Sequence, residues 1–94
     1  MSELHPLTAK LIDDFSSALK AKLAKAQEKH GYSIEWMDPK YIGPMRYDMM
    51  NHLLKGDPLD VAAYCAFLWY HGVSTVTEVV QNVPANNVPE GKKP

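Results

Sequence analysis

Apolar residues in "HPLTAKLIDDFSSALKAKLAKAQEKHG" fall at Leu7, Leu11, Ile12, Phe15, Leu19, Leu23 and Ala26. Steps of three and four draw one stripe along a helix, with Lys10, Asp13, Asp14, Ser17, Lys20, Lys25 and Glu28 on the other face. Pro6 suits a first-turn position, and Lys29, His30 and Gly31 provide cations and a left-handed stop at the far end. A helix is therefore predicted over about 7–30.

In "GYSIEWMDPK" the pattern changes: Gly, Ser, Asp and Pro mark a connection, while Tyr32, Ile34, Trp36 and Met37 alternate with polar residues. So apolar a link is expected to fold back over the core as a lid from 31 to 37, a short extended segment being the other option. A second helix follows, with Asp38 as cap and Pro39 as its first residue. Pro44 has no N–H to offer the carbonyl of Lys40, so the pattern allows either a kink or an irregular turn and a helix proper from about 44 to 55. Its inward stripe is read as Tyr41, Met45, Met49 and Leu53 with Ile42, Met50 and Leu54, and Gly56 ends it.

The third helix, in "KGDPLDVAAYCAFLWYHG", has its ends defined by Asp57 as cap, Pro58 as first residue, Asp60 three past the cap and Gly72 as stop. Between them it is apolar or small on every side, which places it at the centre of the fold or gives it a face for a partner. "STVTEVVQNV" has a capping-box pair in Thr75 and Glu78 but β-branched valines after it; a short helical turn over 76–81 is expected, with extended chain as the alternative. The last stretch, rich in proline, reads as a flexible tail. The expected fold is all-α: a compact three-helix domain over 1–82 with the third helix central, a short fourth helical turn, and a disordered tail over 83–94.

Composition narrows the function classes. A chain of 94 residues buries only about 60–65% of the surface its unfolded form exposes, so association with a copy of itself would add stability. A net charge of −1 supplies no general field for phosphate backbones, and nucleic acid is not the expected partner. Cys65 is the only cysteine, read as a small buried hydrophobe in a reducing compartment. No run approaches the ~18 apolar residues of a membrane span, so the chain is expected in the cytosol, away from the membrane.

Candidate chemistry is sparse. Asp48 and His52 stand four apart on one helical face and, with Asp60, form the alternative divalent-metal set, yet no H-E-x-x-H, C-x-x-C or paired E-x-x-E pattern accompanies them. No nucleophile elbow or phosphate loop is present, and neither cofactor nor catalytic residue is assigned. Lys22, Lys25 and Lys29 share a face near Tyr32 and Trp36, a composition suited to phosphate contact and base stacking but diluted by nearby acids. The crowding of Tyr64, Phe67, Trp69, Tyr70 and His71 is more telling: at about 100° per residue they point several ways, and one neighbouring helix cannot cover them all. Tyr32, Trp36, Tyr64, Trp69, Tyr70 and His71 are therefore the candidate partner-binding residues.

"KAQEKHGYSIEW" followed by "MNHLLKGDPLDVAAYCAFLWYHGVST" resembles a module of small proteins of temperate phages and prophages, including early-region accessory proteins of lambdoid phages. The similarity covers about residues 5–75, its most specific part being Lys55 to Gly72. It implies a phage or prophage origin and a role in managing the bacterial host, without a defined activity. With the apolar and aromatic surplus of so small a chain and the missing catalytic set, the expectation is a non-enzymatic accessory protein in the host cytosol that contacts a host protein and self-associates as a dimer or small oligomer. "MRYDMMNHLLKGDPLDVAAYCAF" is also similar to all-α nucleotide pyrophosphohydrolases, although the clustered acids with which those enzymes bind magnesium are missing here. That similarity implies the alternative function, nucleotide binding or cleavage with a divalent ion.

Overall fold

The computed structural model describes residues 2–76. Three helices carry the fold: α1, Pro6–His30; α2, Ile42–Lys55; and α3, Pro58–His71, with single 3-10 turns at Glu35–Met37 and Pro39–Tyr41 between the first two. The described residues contain no strand. α3 is central, since α1, α2 and the Glu35–Met37 turn all pack on it. All but Val76 of the expected turn over 76–81, and the tail over 83–94, lie outside the described residues.

Each helix end has a local cause. His5 caps α1 by accepting the Leu7 N–H on Nδ1 at 3.1 Å, ahead of Pro6, whose missing N–H costs nothing in a first turn. α1 ends at Gly31, with φ +73, where the Gly31 N–H bonds back to the Gln27 carbonyl. Asp38 accepts the Lys40 N–H at 3.0 Å and starts the short turn through Pro39. Pro44 falls in the first turn of α2, among the four N–H positions that have no partner within a helix. The proline thus sits at an irregular helix start, and that start begins two residues before it, at Ile42.

The core is small. Among the described residues Met45, Met49, Ala63 and Leu68 are buried, and Leu68 alone is fully so, at 1% exposure. Trp36, Tyr41, Ile42, Val61, Tyr64, Phe67 and Val73 pack half-buried around Met45, Met49 and Leu68. Of the lid expected over 31–37, only Trp36 closes over the core, its ring stacked on Phe67 at 5.4 Å and edge-on to Tyr70 at 5.0 Å, while Tyr32, Ile34 and Met37 stay exposed. Arg46 Nε donates to the Ser74 carbonyl at 3.0 Å, fastening the chain after α3 to α2.

Several expected inward positions face water instead. Of the α2 stripe, Met50, Leu53 and Leu54 are exposed because α3 covers only the side of α2 that bears Met45 and Met49. α1 has no buried residue at all: Phe15, Leu19, Leu23 and Ala26 are half-buried, whereas Leu7, Leu11 and Ile12 lie bare. Cys65 is exposed, correcting its reading as a buried hydrophobe. It belongs to the outward stripe of α3, where Cys65 and Ala66 are exposed and Trp69 stands at the end. Small side chains keep most of that stripe inexpensive to hydrate, which is how an apolar helix remains half uncovered.

Candidate functional site

The densest polar cluster lies where α1 meets the start of α3. Asp57 uses both oxygens: Oδ1 caps α3 by accepting the N–H groups of Leu59 at 3.0 Å and Asp60 at 3.4 Å, while Oδ2 takes a hydrogen bond from Lys22 Nζ. Lys22 also reaches Asp60 Oδ1 at 3.4 Å. The ammonium beside Asp57 holds its carboxyl down at about 2, and the same bond raises the Lys22 pKa. About a third of each side chain stays in water, so the pair fixes how α1 crosses α3 more than it strengthens the fold.

On the other side of Asp60 stands His52. Its Nδ1 lies 3.1 Å from Asp60 Oδ2, but off the line a hydrogen bond requires, and that buried nitrogen has no hydrogen-bond partner in the structure. The Tyr64 ring lies 5.5 Å from the imidazole; burial, then the charge of Asp48, raises the Tyr64 hydroxyl pKa. These groups line a groove of about 610 Å³ whose other wall carries Lys25, Lys29, His30 and Tyr32.

The groove is chemically self-compensated. Lys22, Lys25 and Lys29 are matched in number by Asp57, Asp60 and Glu28, so no strong field of one sign develops. Of the alternative metal set the structure brings His52 and Asp60 together, while Asp48 is exposed; no group of three or more possible metal ligands forms among the described residues. The lysine strip of α1 is likewise altered, because Lys22 is committed to the cap of α3.

The six candidate partner-binding residues divide into two sets. Trp36, Tyr64 and His71 are half-buried parts of the fold, and His71 Nε2 donates to the Trp36 carbonyl at 2.6 Å, tying the lid turn to the end of α3. Tyr32, Trp69 and Tyr70 are exposed, Trp69 to 82%.

Comparison with family models, with curated proteins and with solved structures finds no match. Function therefore has to be argued from this chain's own surface. Among the described residues no helix is long and apolar enough to cross a membrane. What remains conspicuous is apolar: Leu54 at 85% and Leu7 at 72% exposure, with Leu4, Leu11, Ile12, Met50 and Leu53 all more than half exposed. Sequence reasoning concentrated on aromatics and missed these leucines, because their periodicity reads as an inward face.

Proposed function

We propose that this protein works by protein–protein contact, without catalysis, as an accessory protein of phage type in the host cytosol. One observation carries the reading: among the described residues only Leu68 is fully buried, while large apolar side chains on all three helices face water. Apolar area left out of a core is a standing driving force for association at roughly 25 cal/mol per Å². The phage setting and a host protein as target rest on the sequence resemblance.

The test is affinity capture from the bacterial host, run in parallel with L54E and W69E, both expected to keep wild-type helicity. A protein retained by the wild type and lost with either variant supports the reading. Nothing retained by a chain that is also strictly monomeric would overturn it. The nucleotide alternative draws on the His52–Asp60 contact and the groove beside it. Calorimetric titration with nucleoside triphosphates and magnesium decides it: no heat is expected, and saturable heat lost in D60N would establish it instead.

A further inference from the structure

We infer that residues 76–83 of this chain seat along the exposed apolar face of α2, so that the face is closed from within the chain and opens to a partner only when the segment leaves. The inference goes beyond the contact reading above and does not rest on it.

The face begins where the chain after α3 is fastened. Arg46, Met50, Leu53 and Leu54 follow one another at i, i+4, i+7 and i+8, which is one side of α2. At the head of that side Arg46 Nε donates to the Ser74 carbonyl at 3.0 Å, and Met50, Leu53 and Leu54 beyond it are exposed. The adjoining side, with Met45 and Met49, is already taken by Leu68 of α3. His52 meets Asp60 while Arg46 meets Ser74, so α2 and α3 run antiparallel. A chain that leaves Ser74 therefore reaches Leu53 and Leu54 by returning beside α2 in the direction of α2 itself.

The residues that come next in sequence have the matching pattern. Val76, Val79, Val80 and Val83 fall at i, i+3, i+4 and i+7, with Thr77, Glu78, Gln81 and Asn82 between them and Pro84 after. Helical spacing gathers the four valines on one side, whereas extended chain puts Val79 and Val80 on opposite faces. From Arg46 to Leu54 the axis of α2 advances about 12 Å, and a helix advances about 11 Å from Val76 to Val83. With Val76 beside Arg46, Val80 comes opposite Met50 and Val83 opposite Leu53.

The tether favours this occupant over a free one. Ser74 is held at the face, so the valines meet it at an effective concentration of roughly millimolar, which an untethered helix has to match.

Cysteine cross-linking in the full chain with Cys65→Ser tests the inference. Under mild oxidation M50C/V80C is expected to close an intrachain disulfide at least about tenfold faster than M50C/E78C, because Glu78 stands on the far side of the valine stripe. Thiol labelling gives a second reading. A maleimide is expected to modify M50C at least about tenfold more slowly in the C65S chain than after V79E/V80E is added, since two charges unseat the segment. Urea unfolding confirms that V79E/V80E keeps the core around Leu68. Equal closure of the two cysteine pairs, disulfides between chains in place of within them, or labelling unchanged by V79E/V80E would each overturn the inference. Each of these leaves the contact reading standing, with the leucines of α2 open to a partner.

Discussion

The two halves of α1 share one helix, one stripe and one kind of residue, yet live in different surroundings. From Phe15 to Ala26 the stripe is half-buried, and Lys22 on this half is held by Asp57 and Asp60; from Leu7 to Ile12 the same stripe faces water. Amphipathic spacing thus marks a face that wants cover without stating what supplies it. In the carboxy-terminal half the cover is α3. In the amino-terminal half the chain offers none among its described residues.

Substitutions can break this contrast, beginning with the strongest anchor. L68A removes the one fully buried large side chain and is expected to cost about 2–5 kcal/mol in urea unfolding, enough to unfold much of so small a domain. W36A removes the ring stacked on Phe67 and edge-on to Tyr70; half-buried, it should cost less, about 2 kcal/mol, with a matching fall in thermal midpoint. Fluorescence sharpens that test: W69F leaves the shielded emission of Trp36, whereas W36F leaves a red-shifted spectrum open to iodide quenching from Trp69.

The α1–α3 fastening is expected to show a smaller and pH-dependent effect. D57A loses cap and charge and should lower the thermal midpoint more than D57N, since asparagine still caps. Lys22 depresses the Asp57 carboxyl from 3.8 to about 2, so its ionised form stabilises the fold fully above pH 4, and that contribution is lost as pH falls toward 2. The stability gap between wild type and D57N should therefore close across that acid window. A gap unchanged down to pH 2 would mean that the Lys22–Asp57 bond does not form in solution.

The smallest effect is expected from L11A, within about 0.5 kcal/mol of wild type in thermal or urea unfolding, as for other surface changes. A large loss would instead show that Leu11 has an intrachain partner.

Helix ends were legible residue by residue. Gly31, Gly56 and Gly72 all sit at positive φ as stops, Asp57 caps α3 as its spacing indicates, and Asp60 stands in its first turn, whereas Asp38, expected to cap α2, caps only the 3-10 turn ahead of it and α2 starts at Ile42 without a side-chain cap. These are local events, decided within four or five residues by backbone geometry and side-chain reach. The candidate site was legible only in part. Trp36 as lid followed from an apolar loop that needed cover, but no spacing rule connects Lys22 to Asp57, 35 residues away, or brings His52 against Asp60 from another helix.

By itself the sequence determined that this chain makes three helices, both ends of α1 and α3, and the stop of α2. The start of α2, and whether the all-round apolar α3 lies at the centre, were left to the tertiary structure. Tertiary structure decided which stripes were covered. Leu7 and Leu23 carry the same periodic signal, and their burial differs because α3 is only 14 residues long while α1 has 25. A helix of about 21 Å cannot shield one of about 37 Å along its whole length, so the amino-terminal turns of α1 stay exposed.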